Sequence, residues 1–246
     1  MELQDKTALV TGAGGGIGRA VVTALAVEGA QVIALDRDAD ALDALCADVG
    51  PNCSAAVADL SDGPGLQALA ADLLGKHGRI DILVNNAGIL TPHKLAGITL
   101  EDWHALMSVN LDAAMLLTQA VVPGMKDAGW GRVINMASYA WKSGGLTAGT
   151  AYSVSKAALV GLTYSTAREL TGTGITANAI APAYVVSPMI MNQLSDEDRA
   201  RQLAAIPVGR FCEPEEVAHT VRFLASPLAG FMTGLTIDMN GGLQFG

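Results

Sequence analysis

The sequence predicts an α/β protein built on a doubly wound, mostly parallel sheet with helices on both faces. Three observations carry that expectation. Short apolar, β-branched and Ala-rich runs alternate with longer amphipathic ones from end to end. The short runs show little polar alternation, which is the pattern of strands covered on both faces. Half of the residues are hydrophobic but only 4% are aromatic, so the apolar content is mostly small side chains that suit such strands. Strand–helix alternation calls for right-handed crossovers onto one sheet. No linker, charge block or repeat interrupts the 246 residues, so a single domain spanning 1–246 is expected.

Seven strands are expected: Thr7–Thr11, Gln31–Asp36, Ser54–Ala58, Ile80–Asn85, Arg132–Ala137, Thr176–Ile180 and Leu235–Asp238. Helices are expected at Ile17–Gly29, Ala39–Val49, Gly65–His77, Leu100–Lys126, Tyr152–Thr171 and Glu213–Ala225. Asp36-Arg37-Asp38 opens a turn, Thr99 is placed to cap LEDW, and Pro214 suits a first helical turn. Gly29, Gly50 and Gly78 fall where helices stop. Tyr184–Pro207, with its prolines, methionines and the polar run SDEDRAR, reads as a long excursion after a strand. Such a segment either covers a substrate, as a lid over about 184–207, or packs on itself.

Charge and cysteine content exclude several classes. The net charge is −9 and no basic run occurs, which disfavours nucleic acid and anionic membrane as partners. Cys46, Cys53 and Cys212 have no metal-ligand or CxxC spacing and read as reduced, partly buried residues, and no metal is expected. The first residues lack a basic stretch followed by an apolar core, and no apolar run approaches the ~20 residues of a membrane span. A cytoplasmic protein is expected.

Thr7–Gly18 reads TALVTGAGGGIG, an apolar strand, a glycine cluster and the start of a helix. Glycines let the backbone turn tightly and approach a pyrophosphate, while the helix N-terminus supplies free amides and a positive dipole end. Asp36 ends the second strand, where a carboxylate can accept hydrogen bonds from an adenosine ribose and repel a 2′-phosphate. NAD is therefore favoured over NADP. Gly15 brings no cation for that phosphate, whereas Arg37, beside Asp36, argues the other way. Tyr152 and Lys156 lie four apart in a helical stretch and share a face. A cation near a phenol favours the phenolate and makes tyrosine usable as an acid or base.

Together these motifs resemble the short-chain dehydrogenase/reductase family, specifically its single-domain branch of 3-oxoacyl-carrier-protein reductases, hydroxysteroid dehydrogenases and polyol dehydrogenases. The resemblance spans about Leu3 to Gly242. TGAGGGIG is similar to the family's cofactor loop, with Gly12, Gly15, Gly16, Ile17 and Gly18 facing the dinucleotide. Asp59-Leu60 resembles the pair that contacts adenine. NNAG at 85–88 resembles the element under the cofactor, through Asn86, Ala87 and Gly88. IAPAYVVSP resembles the segment that holds the carboxamide, through Val185 and Ser187. Asn110, Ser138, Tyr152 and Lys156 match the catalytic tetrad.

The resemblance implies a three-layer Rossmann fold of strand order 3-2-1-4-5-6-7. It also implies hydride transfer between a nicotinamide and a secondary alcohol or ketone, and a homotetramer with helices 100–126 and 152–171 at one interface. Tyr152 is expected to take the hydroxyl proton, Lys156 to lower the tyrosine pKa and hold the nicotinamide ribose, and Ser138 to bond the substrate oxygen. Asn110 is expected to anchor a water path from Lys156. Three departures stand out: Ser138 and Tyr152 are fourteen apart rather than the usual thirteen, Ala183 replaces a frequent glycine, and Ser187 replaces a threonine. Ala183 suggests a backbone without positive φ there.

Substrate-facing candidates are Tyr139, Ala140, Trp141, Lys142, Leu146, Tyr184, Met189 and Asn192. Lys142 is placed either to pair with an acidic substrate or to lie in solvent, and Trp141 either to line the cleft or to pack. The activity that fits best is an NAD(H)-dependent dehydrogenase of a small polyol, sugar or hydroxy acid. A 3-oxoacyl-carrier-protein reductase is the alternative, with a non-catalytic dinucleotide sensor behind it.

Overall fold

The computed structural model describes residues 1–187 and 195–245. β1 (Thr7–Thr11) pairs in parallel with β2 (Gln31–Asp36) on one side and β4 (Ile82–Asn85) on the other. β3 (Cys53–Val57) extends one edge, and β5 (Gly131–Met136), β6 (Ile175–Pro182) and β7 (Thr236–Met239) extend the other. The order is β3-β2-β1-β4-β5-β6-β7 with every pairing parallel, as the resemblance implied. Expected strand ends differ from observed ones by at most two residues, and every strand is present.

Between the strands run α1 (Gly16–Val27), α2 (Ala39–Val49), α3 (Gly63–His77), α4 (Leu100–Met107), α5 (Ala113–Ala128), α6 (Ala140–Ser143), α7 (Thr150–Glu169), α8 (Asp196–Ala205) and α9 (Pro214–Ala225). Val21 and Leu25 of α1, Leu42 of α2 and Val217 of α9 pack on one face of the sheet. Leu66 of α3, Leu117 and Val121 of α5 and Ala167 of α7 pack on the other. The result is three layers over two buried cores, and the side chains between them are the apolar stripes that the amphipathic runs supplied.

The capping residues act as the sequence suggested. Thr99 accepts from the Asp102 amide at 3.0 Å, and Glu213 and Glu216 close a capping box around Pro214. Gly29, Gly50 and Gly78 all take positive φ. Ala183 does not; among the described residues Asp5 alone does so without being glycine.

Two expectations need correction. The run Leu100–Lys126 is not one regular helix: α4 passes through a single π turn, Ser108–Asp112, before α5 begins. A π turn carries an extra residue and commonly marks a functional position, and this one holds Asn110. Leu100–Ala128 as a whole is also long and apolar enough to cross a membrane, contrary to the sequence reading. However, 44% of its most apolar 18-residue window is buried within the protein, and its apolar side forms part of the second core. The excursion after β6 contains α8, which sequence patterning did not show as a helix.

Because β1 sits between β2 and β4, the crossovers leave it in opposite directions. Their divergence opens a crevice at the carboxyl ends of those two strands. Everything below lies along that crevice or beside it.

Candidate active site

The crevice begins at the glycine loop. Gly12 adopts φ of +65°, and a Cβ there would lie 2.8 Å from Ala87 Cα, so both conformation and space demand glycine. Asn86 buttresses the loop from beneath: its Nδ2 donates to the carbonyls of Thr11 (2.9 Å) and Gly12 (3.1 Å). The amides of Asn86 and Ala87 both donate to Thr11 Oγ1. A Cβ at Gly18 would run into the Gly12 carbonyl, so the start of α1 packs directly on the loop. Gly15 offers the N-terminus of α1 no side-chain cap, and its first turn has no acidic residue. Those amides are thus left for an anion.

Asp36 reaches across to the same loop. Its Oδ2 accepts from the Gly14 amide at 3.0 Å, while Oδ1 accepts from the amides of Arg37 (2.7 Å) and Asp38 (3.2 Å). Asp36, Arg37, Asp59 and Leu60 line a cleft of about 180 Å³ that Gly12, Ala87 and Gly88 close from the other side. Asp59 is fixed by the amide and hydroxyl of Ser61, which with the nearby Arg37 hold its carboxyl below the usual range. An extended groove with an uncapped helix start, a fixed carboxylate and a glycine cradle fits a nicotinamide dinucleotide.

Beyond the loop lies the proton-handling cluster. Tyr152 sits in the first turn of α7, and Lys156 one turn later on the same face. Lys156 is 2% exposed; its Nζ donates to the Met136 carbonyl at 2.7 Å and lies 5.7 Å from the centre of the Tyr152 ring. A Cβ on Gly88 would sit 3.2 Å from that Nζ, so glycine leaves room for the ammonium. Burial draws Lys156 down to about 8. Burial likewise raises the Tyr152 phenol above its ordinary value, with a hydrogen bond to Ser138 pulling the other way. The expectation that Lys156 lowers the tyrosine is not met in the chain by itself. Desolvation prevails there, and the ammonium leans on a backbone carbonyl instead.

Asn110 is buried in the π turn and fully engaged. Its Oδ1 accepts from the Ile89 amide (2.8 Å), and its Nδ2 donates to the Ile89 carbonyl (2.9 Å) and to Ser155 Oγ (3.1 Å). Ser155 in turn donates to the Tyr152 carbonyl at 2.8 Å. The Asn110 amide therefore ties the strand-four loop to the helix that carries Tyr152 and Lys156.

A family model described as enoyl-(acyl carrier protein) reductase matches residues 12–244. The 3-oxoacyl-[acyl-carrier-protein] reductase FabG of Vibrio cholerae is 38% identical over 244 residues, covering 99% of both chains. That of Thermotoga maritima is 39% identical over 246 residues with the same coverage. A solved structure described as a candidate NAD(P)-dependent gluconate 5-dehydrogenase from Beutenbergia cavernae, with NADP at low occupancy, superposes with a TM-score of 0.91. It shares 39% identity over 98% of each chain. The chain belongs to the short-chain dehydrogenase/reductase family.

As a member of that family it is an oxidoreductase with a nicotinamide dinucleotide cofactor. A second cleft, of about 70 Å³, is lined by Ser138 and Tyr152. Of the sequence candidates, Tyr139, Ala140, Leu146 and Tyr184 line it. Trp141 does not: it packs on Ala137, Val160, Ala179 and Ala181. Lys142 neither faces a substrate nor stands in open solvent, because its Nζ pairs with Asp238 of β7 at 2.6 Å. Val185 is buried with the first core, and Ser187 sits against Gly16 at the head of α1. Met189 and Asn192 lie outside the described residues.

Leu90 and Gln202 were missed by sequence reasoning, whereas Ser143 and Thr147 fall in the stretch YAWKSGGLTAGTA, which was expected to carry specificity. Leu90 follows NNAG directly, and that adjacency was a usable signal. Gln202 gave none, sitting in a polar helix while its Oε1 accepts from the Tyr184 hydroxyl at 2.8 Å. Cys53 and Cys212 are pushed up by burial to about 12 and about 11, so neither is a thiolate at neutral pH.

Proposed function

We propose that the protein is an NAD(H)-dependent dehydrogenase acting on a secondary alcohol or ketone, with Asn110, Ser138, Tyr152 and Lys156 as its working tetrad. The observation that carries this reading is the placement of Lys156 beside Tyr152, which lines one cleft with Ser138, and beside Gly88, which lines the cleft that Asp36 guards. The nicotinamide supplies or accepts the hydride. Tyr152 exchanges the proton of the substrate hydroxyl, and Ser138 hydrogen-bonds the same oxygen where charge develops. Lys156, held by the Met136 carbonyl, keeps a positive charge beside the phenol at the pH of turnover. Asn110, through Ser155, holds the helix that carries both in register with the crevice.

Asp36 supports NAD because its carboxylate, fixed by three backbone amides, confronts any 2′-phosphate with negative charge. NADP is the second reading, favoured by Arg37 in the cleft wall and by the NADP in the Beutenbergia relative. The bond between Tyr184 and Gln202 supports the reading of the segment 184–207 as a lid, of which 188–194 lie outside the described residues. The half-exposed Met115 and Tyr164, on α5 and α7, support those helices as an interface of a homotetramer. A stable monomer in sedimentation would remove that last point.

The decisive experiment is a spectrophotometric screen of secondary alcohols and ketones with NAD and NADP, run beside Tyr152→Phe. Turnover of at least one substrate is expected, faster with NAD, with kcat/KM in Tyr152→Phe lower by about 10²–10⁴-fold. Undiminished activity in that variant would overturn the tetrad, and a preference for NADP would overturn the Asp36 argument.

A further inference from the structure

The charges around the substrate cleft carry an inference about what enters it, resting on the alcohol/ketone reading above. Besides Lys156, the segments that follow β4, β5 and β6 at this end of the sheet bring in five cations: Lys94, Lys142, Arg199, Arg201 and Arg210. Each is already engaged within the protein. Lys94 Nζ donates to the carbonyls of Gly145 and Ala148, strapping the loop that forms one wall of the cleft. Lys142, between the cleft residues Ala140 and Ser143, pairs with Asp238. Arg199 pairs with Asp196 and Arg201 with Asp198, each one helical turn away. Arg210 grips Glu216 through both guanidinium nitrogens, at 2.6 and 2.9 Å. Residues 188–194 read PMIMNQL and add no charge.

The wall that remains is of a different kind. Ser143, Thr147 and Tyr139 present hydroxyls, and Leu90 and Leu146 present aliphatic surface. An anion placed there would lose its hydration without an opposite charge to offset the loss, whereas a hydroxylated neutral molecule would trade water for hydroxyl partners.

We infer that the site takes an uncharged, polyhydroxylated alcohol or ketone rather than a carboxylate or a carrier-bound acyl chain. The −9 net charge acts in the same direction, since an acidic carrier would meet like charge on approach. Asp238 becomes a specificity-determining residue: by pairing with Lys142, which lies in sequence between the cleft residues Ala140 and Ser143, it holds that cation back from an anionic substrate.

The test is a matched series in which only the terminal group changes. Xylitol, D-arabinitol, D-glucitol and D-mannitol are each assayed against their aldonates, with a 3-oxoacyl thioester as a further arm, using NAD and NADP. The best polyol is expected to exceed its aldonate at least tenfold in kcat/KM. In Asp238→Asn, which removes the negative charge opposite Lys142, the aldonate-to-polyol ratio should rise several-fold while the polyol rate changes less than twofold. Faster turnover of an aldonate or thioester than of any polyol, or an unmoved ratio in a folded Asp238→Asn, overturns the inference and leaves the oxidoreductase reading standing. Failure of every compound in both directions overturns that reading and this inference with it.

Discussion

The two clefts of this molecule are assembled by different means. On the side of the glycine loop, the cleft is built from backbone. Asp36 accepts only from main-chain amides, Asn86 donates only to main-chain carbonyls, and Gly12 is required by its φ and by Ala87. The segments involved are ends of neighbouring strands, so the sheet order itself brings them together. On the substrate side the walls are held by side chains that reach across long stretches of chain, such as Lys94 to Gly145, Lys142 to Asp238 and Tyr184 to Gln202. A site dictated by backbone tolerates little change, and one built from side-chain pairs can be retuned one pair at a time.

The sharpest way to break that contrast is at Gly12. An alanine there would hold an L-residue at φ of +65°, costing roughly 1–2 kcal/mol, and would press its Cβ to 2.8 Å from backbone that has no rotamer to yield. Gly12→Ala is expected to weaken NAD binding by two orders of magnitude or more in a fluorescence titration. Gly50→Ala, at φ of +85° with open space around it, should lower stability by a similar strain yet bind normally. Equal binding by both variants would mean that backbone fit does not govern the dinucleotide cleft.

Lys156 stands where the two sides meet and offers a second test. Its folded pKa, about 8, lies below its ordinary value of 10.5 because of burial. Below pH 8 both folded and unfolded chains carry the proton, and the folded one bears the full cost of a desolvated charge. Between those values the unfolded chain binds more protons, so this group makes stability rise with pH, and above both it contributes nothing. Lys156→Met removes that cost, about 1.4 kcal/mol for each tenfold weakening of proton affinity. It also loses one hydrogen bond to Met136, worth about 1 kcal/mol. The inactive variant should therefore melt several degrees higher than the parent at pH 7, and calorimetry should show the gain fading toward pH 10.5. A lower melting temperature at pH 7 would mean that the ammonium is not held against its own desolvation.

The same contrast explains what could be read from the sequence. The strands, their order and the glycine loop depend on patterns local to one βαβ unit, or on a resemblance whose motifs are backbone-determined. Asp36, Asn86 and Gly12 were all legible for that reason. The roles of Lys142 and Trp141 were not, because each depends on which distant surface it meets, Asp238 for one and the β6 side of the sheet for the other. The π turn at Asn110 was hidden as well, since a single added residue barely disturbs the apolar period of a long helix. The burial that raises the Tyr152 phenol in the chain by itself was hidden too, because residue spacing does not report desolvation.

Gln202 gives the smallest effect and the finest discrimination. It is nearly buried, and its bond to Tyr184 is a side-chain pairing between α8 and the cleft wall. Gln202→Met keeps the side-chain length but leaves the phenol one partner short, a loss of about 1 kcal/mol. Ser138, Tyr152 and Lys156 do not touch that bond, so kcat should stay within twofold. KM for the best alcohol should rise about fivefold, with the affinity for NAD unchanged. A fall in kcat at constant KM would place Tyr184 with the reacting groups. The substrate side would then share the rigid, all-or-none character of the dinucleotide side.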